Sequence, residues 1–357
     1  MASGGKKHVV YVLGAGFSQP LGIPTVASFL DRAKTLQQRT PGSFGYFDEI
    51  FDTIKVLERA HNFYRTDRNS IEDLLTMLDL KDELAGTNQS QVFKKFICDV
   101  VTSYTPKIVM GANAQKWSDL FFGSEPWASY GVFVSALLGY EFALTVAPIQ
   151  NAPPSLSSYA CQVADAGVRY SVISLNYDMV LETMAEHINA SFHGSKRTFV
   201  PKATGSGTPL VKLHGSVVDP SSIVPPLLNK QYENLAGLWG EAFKILTSAN
   251  EIRVVGYSLP EADSYVRFLL RSAAVETRHL QRIDVLCKDD NARVQRRYGN
   301  FITFTDYRRG KDREQSFRNG DCYAYLANYQ SHTMQWADRI SPSDLVERAH
   351  EYHFGRA

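Results

Sequence analysis

The chain has 357 residues, with 38 lysines and arginines against 37 aspartates and glutamates, a formal net charge of +1. That length suggests one large domain with an insertion, or two, and can bury a sizeable core without staples. Near-neutrality excludes a global field for nucleic acid, while four widely spaced cysteines with no C-x-x-C pair exclude a disulfide framework and a zinc ribbon.

The first predicted element is Val9-Val10-Tyr11-Val12-Leu13, an apolar, β-branched run of the kind that buried parallel strands use. It stops at Gly14-Ala15-Gly16, with Ser18, Gly22, Ile23 and Pro24 following. Glycines after a buried strand let the chain turn tightly and approach a ligand with no Cβ in the way. The free N–H groups of a helix starting there favour a diphosphate. Thr25 fits an N-cap, with Val26, Phe29, Leu30 and Ala33 as the apolar face of the helix behind it. The dinucleotide fingerprint is incomplete, because Gln19 holds the third glycine's place and residues 37–46 read as loop, not as a second strand. An ordinary strand–turn–helix with packing glycines competes with the nucleotide reading here. The Lys6-Lys7 start before a short run lacks the cleavage site of a signal peptide, and no run reaches the ~18 apolar residues of a membrane span. A soluble cytoplasmic protein is expected.

Residues 46–165 change character. Phe47, Ile50, Phe51, Ile54 and Leu57 have helical spacing. Asn69-Ser70-Ile71-Glu72-Asp73 looks like a cap before Leu74, Leu75, Met77 and Leu78. Further helical runs are predicted at about 90–105 and 128–145, with a boundary near Asn151–Pro154.

After that boundary the α/β rhythm returns. Strands are predicted at Tyr170–Leu175, Leu210–Leu213, Ile252–Val255 and Ile283–Cys287. They run into Asn176-Tyr177-Asp178, His214-Gly215-Ser216, Gly256-Tyr257-Ser258 and Lys288 respectively. Helices are predicted from Val180, over Glu233–Ser248, after Pro260 (which suits a first helical turn) and after Asp290. The fold class is therefore α/β, a Rossmann-like, mostly parallel sheet with a large helical insertion. The expected single domain has its core at 6–36 and 166–305, the insertion at 37–165 and a helical tail at 306–357. In such sheets ligands gather beyond the carboxyl ends of the strands, where these polar residues stand. Arg293, Arg296, Arg297, Arg308, Arg309, Lys311 and Arg313 are interleaved with acids, which suits a solvated or partner-facing surface better than direct nucleic-acid binding.

The residue types at those ends suit a glycosyl transfer with an oxocarbenium-like transition state. A neutral His214 can accept a proton near pH 7, and an Asn176 amide can hydrogen-bond a water and a ribose hydroxyl. A core histidine, and a helix N-cap at Asn176-Tyr177-Asp178, are the competing structural explanations.

GAGFSQPLGIP, LNYDMVLE, KLHGS and VVGYSLPEAD, in this order, resemble the signature of the sirtuin-like family. The closest similarity is to its prokaryotic branch of NAD-cleaving antiviral proteins, such as Thoeris effectors and the sirtuin subunits that assemble with HerA-type ATPases. The resemblance implies NAD as substrate and no metal. It implies that Gly14, Ala15, Gly16 and Ser18 hold the pyrophosphate and its ribose, with Ile23 and Pro24 also in the cofactor site. It implies catalysis by Asn176, Asp178 and a basic His214, with Gly256, Ser258, Cys287 and Lys288 beside the phosphates and adenosine. It further implies an NAD hydrolase of antiphage defence, gated by homo-oligomerisation or by a HerA-type partner. A non-catalytic NAD or ADP-ribose sensor is the alternative. Two departures from the deacylases, the absent cysteine ribbon and Thr25-Val26-Ala27 after G-I-P, count against peptide deacylation.

Overall fold

The computed structural model describes residues 6–59, 70–108, 126–144, 159–163, 167–191, 196–202, 207–224, 232–261, 263–301, 314–327 and 339–356. In chain order the strands are β1 Lys7–Leu13, β2 Tyr140–Leu144, β3 Tyr159–Val163, β4 Val168–Ser174 and β5 Phe199–Val200. There follow β6 Thr208–Lys212, β7 Glu251–Val255, β8 Arg282–Cys287, β9 Glu314–Asn319 and β10 Arg339–Ile340. Seven of them form the main sheet, in the order β5-β6-β4-β1-β7-β8-β9, every neighbouring pair parallel. The other three form a small antiparallel sheet, β10-β2-β3.

β1 lies in the middle of the main sheet, Tyr11 standing between Val172 of β4 and Arg253 of β7. Its residues alternate between two cores: Val9, Tyr11 and Leu13 face one, Val10 and Val12 the other. Burial on both faces is why the run is continuously apolar. The first core is closed by helices at Phe29–Arg39, Gln89–Tyr104, Trp127–Leu138, Val180–Ser191 and Pro342–His353. The second is closed by helices at Tyr232–Thr247, Ser264–Glu276 and Arg293–Phe301. The chain leaves β1 toward β4 and returns from β6 to β7 on its other side. The carboxyl ends of β1 and β7 therefore flank a topological switch point, where open α/β sheets bind ligands.

The C-terminal helix is held to the first face by charge. Arg253, 1% exposed, meets Glu347 through both guanidinium nitrogens at 2.7 and 2.8 Å. The same group bonds Glu251 at 2.8 Å and the Tyr11 hydroxyl at 3.0 Å. Nearby, His350 is 2.7 Å from Asp284, which also bonds Arg356.

The five strands predicted from apolar runs are present as β1, β4, β6, β7 and β8. Four expectations are corrected. The run read as helical to residue 145 ends at Leu138, where Gly139 takes φ +70° and the chain turns into β2; β3 also lies in the span read as a helical insertion. The tail read as helical contributes β9 to the main sheet. Residues 37–46 are not simple loop, since helix continues to Arg39 and resumes at Pro41–Phe44. Pro260 precedes the helix it was matched to, which starts at Ser264 with Asp263 at the N-cap position. The Asn151–Pro154 boundary and the basic residues at 308–313 lie outside the described residues. Among the described residues no helix is long and apolar enough to cross a membrane.

Candidate active site

Two turns interlock at the switch point. The Gly14 N–H donates to the Val255 carbonyl at 3.0 Å and the Gly16 N–H to the Gly256 carbonyl at 2.9 Å. A Cβ on Gly14 would fall 2.6 Å from the Tyr257 Cα, and one on Gly16 would fall 2.9 Å from the Gly256 Cα. Gly256 itself has φ +70°, and a Cβ there would lie 2.2 Å from the Phe17 nitrogen. These glycines are demanded by backbone packed on backbone. A side chain on Gly16 would collide with the β7 turn.

An open cleft lies beside the first turn. Its volume is about 470 Å³, and it is lined by Ala15, Ser18, Ile23, Pro24, Glu72, Asn176, Tyr177 and Asp178 among others. Asn176 anchors it. Its Nδ2 donates to the Gly14 carbonyl at 3.0 Å and to the Ser18 hydroxyl oxygen at 3.2 Å. Both amide hydrogens are thus committed to the first turn, and Oδ1 is the atom left to accept from a ligand. Ser18 Oγ, accepting from Asn176, keeps its own hydrogen to donate. Asp178 does two things at once. It lines the cleft, and its Oδ1 accepts the Val180 N–H at 3.1 Å, capping the helix after β4. Its carbonyl accepts from Lys212, which is 3.2 Å from Glu182.

His214 is buried at the end of β6, its ring 6.5 Å from that of Tyr177. Its Nε2 is 3.3 Å from Asp263 Oδ2, and the same oxygen accepts the Tyr257 hydroxyl at 2.7 Å. Burial opposes the charged ring, but the bond to Asp263, its charge and that of Glu72 outweigh burial and raise the His214 pKa above 6.5. Glu72 is itself pushed up to about 7, chiefly by burial, with His214 pulling it down and Asp263 and Asp73 pushing it up. The histidine is therefore more than packing: two carboxylates bear on it.

Gly14, Gly16, His214 and the remaining candidates are not among the residues that line the cleft. Cys287 is buried in the second core, where burial and then Asp289 push its thiol up to about 12. Lys288 is exposed. Ser258 accepts from Arg297 Nη1 through its carbonyl at 3.2 Å, and Gly256 meets the first turn by backbone alone. The sequence reading assigned no role to Asp263, Tyr257, Tyr177, Lys212 or Glu72. Asp263 closes the quoted VVGYSLPEAD, and Glu72 sits in the predicted cap. An acid beside each motif was the available signal. Among the described residues no cluster of His, Cys, Asp and Glu could hold a metal ion.

Residues 170–304 match the family model described as a SIR2-like domain. That match covers most of β4, all of β6, β7 and β8, and the His214–Asp263 pair. Similar solved structures include a Sir2 homologue mutant with 2'-O-acetyl-ADP-ribose, 12% identical, covering 98% of this chain and 94% of that one, with a TM-score of 0.37. Another is Sir2Tm bound to a propionylated peptide, at 11% identity, 90% and 92% coverage and a TM-score of 0.34. A third is Sir2 with a p53 peptide and NAD+, at 12% identity, the same coverage and a TM-score of 0.32. No curated protein matches the chain.

Proposed function

We propose that this protein binds NAD in the cleft beside Asn176 and hydrolyses its nicotinamide–ribose bond. The observation that carries the reading is the cleft at the switch point, which holds an uncommitted Asn176 Oδ1 and the Ser18 hydroxyl, with its Tyr177 ring 6.5 Å from that of a carboxylate-backed histidine. Nicotinamide leaves as a neutral base from a cationic ring, so no acid is needed for its departure. Asn176 Oδ1 takes a ribose hydroxyl or the attacking water, Ser18 donates to the ribose or phosphate, and His214 accepts the water's proton. Asp263 orients the ring and stabilises its charged form. Asp178 braces the Asn176 turn as a helix cap. Gly14, Ala15 and Gly16 shape the floor for the diphosphate, Ile23 and Pro24 the wall. Gly256, Ser258, Cys287 and Lys288 remain proposed for the far, adenosine end.

An enzyme that consumes a shared cofactor needs a gate, and in this reading the protein is an antiphage effector released by self-association or by a HerA-type partner. A non-catalytic NAD sensor is the second reading; it is favoured by the commitment of both Asn176 amide hydrogens to the fold. Nicotinamide release, measured beside calorimetric NAD affinity for wild type, His214→Ala and Asn176→Ala, separates them. The hydrolase reading expects rate losses of ~10²–10⁴ with affinity largely kept. Binding without turnover in the wild type, tested also with candidate partners present, supports the sensor.

A further inference from the structure

Glu72 reaches the cleft from the helical segment, not from the sheet. Ser70 caps the helix Ile71–Ala85, its Oγ accepting the Asp73 N–H at 3.1 Å. Ile71, Leu74 and Leu75 are buried in the first core and fix the helix about its axis. That rotation turns Glu72 into the cleft, across from Asn176, Tyr177 and Asp178. The neighbouring acids are engaged: Asp178 caps Val180, and Asp263 holds His214 and Tyr257. The Glu72 carboxylate makes no hydrogen bond or ion pair among the described residues. A half-buried acid left without a hydrogen-bonded partner costs stability, and such costs concentrate where a ligand supplies the partner.

We propose that Glu72 is a catalytic residue of this site, accepting a ribose hydroxyl of the bound substrate and facing the positive charge that develops at its anomeric carbon. The inference rests on the NAD-cleaving reading and adds a residue to it. In the step, the bond from C1′ to the nicotinamide nitrogen breaks with its electron pair leaving on nitrogen. A bond from C1′ to the water oxygen forms, and the water proton passes to His214. Glu72 stays ionised throughout and is neither acid nor nucleophile. A fixed anion at a developing cation is worth most where water is excluded, and the hydroxyl bond tightens as the ring becomes cationic. The groups that face Glu72 are His214 on β6's end, Asp263 ahead of the Ser264–Glu276 helix, and Asp73 on its own helix. Burial and the two acids hold it protonated until about neutral pH. Substrate cleavage should therefore need both Glu72 and His214 deprotonated.

The test uses the full chain with Glu72→Gln and Glu72→Asp, reading kcat, KM, the pH–rate profile and thermal unfolding. Glu72→Gln is expected to lower kcat by ~10²–10³ and to remove one acid-side limb of the profile, with KM changed far less. Its melting temperature should hold or rise, because a carboxylate whose charge burial opposes is gone. Glu72→Asp should recover part of the rate. An unchanged kcat and profile in Glu72→Gln, with wild type active, would overturn this inference alone. So would equal losses in the two variants accompanied by a fallen melting temperature, which mark a structural role. A wild type that binds NAD yet never releases nicotinamide overturns the hydrolase reading, and this inference with it.

Discussion

The two charged regions of this protein use the same residue types to opposite ends. Under the C-terminal helix every carboxylate is answered by a cation. Burial would raise Glu347, but Arg253 and Lys7 overcome it and bring the group down to about 2. At the cleft, carboxylates face one another across a single histidine, and Glu72 is pushed up to about 7. The first arrangement holds a helix in place. The second keeps protons poised near neutrality at a cost in stability, which is what chemistry requires and packing does not. A raised acid alone does not separate the two regions, since burial also raises Asp284 beside the C-terminal helix; an arginine in contact, Arg356 for Asp284 and Arg253 for Glu347, does.

The contrast breaks most sharply at Arg253. Arg253→Ala takes the buried cation from Glu251 and Glu347, leaving them the half-exposed Lys7, and should cost ~3–5 kcal/mol, measured by denaturant unfolding. Nicotinamide release per folded molecule should stay near the wild-type value, because the clamp touches no cleft residue. Gly16→Val should come next. Its side chain meets the Gly256 backbone, so ~1–3 kcal/mol of overpacking is expected, with NAD affinity lost together with the fold and not separately from it. Calorimetry and unfolding on one sample would check this.

Acidity sharpens the comparison, since Glu347 and Glu72 lose stability in opposite directions. Between the ordinary glutamate value of 4.5 and about 2, the unfolded chain takes up a proton that folded Glu347 refuses, so the clamp weakens as pH falls. His350, held well below 6.5 by burial and then by Arg253, adds to that loss once pH drops under 6.5. Glu72 runs the other way. Between 4.5 and about 7 the folded chain keeps a proton that the unfolded chain releases, so its contribution fades as pH rises. A melting-temperature series should show the acid side flatten in Glu347→Gln and the neutral side flatten in Glu72→Gln. The smallest effect is expected at the cap. Ser70→Ala should cost ~1 kcal/mol of stability, while its effect on nicotinamide release should exceed that, because the cap aims Glu72.

The buried strands were legible because burial on both faces leaves only apolar, β-branched residues to see. β9, Glu-Gln-Ser-Phe-Arg-Asn, was not, since an edge strand needs no such run and its polar residues look like tail. β2 was hidden by the apolar stretch before it: nothing in Trp127–Leu144 announces a break except Gly139, whose φ of +70° is a fact of the fold. At the site, the motifs carried Asn176 and His214 to the right end of the sheet. What acts on them was not legible, because Asp263 and Glu72 reach His214 from other elements. Cys287 was legible by position only. It ends a strand as expected, yet the pleat turns its thiol into the second core.

The interlock of Gly14 and Gly16 with Gly256 also sets when the cleft can exist. The first turn is made well before its backbone partner in β7, and the anchoring helix at Pro342–His353 follows later still. Contacts of such sequence separation form slowly, and here they cannot begin until most of the chain has been made. A growing polypeptide therefore has no finished cleft to offer during its own synthesis.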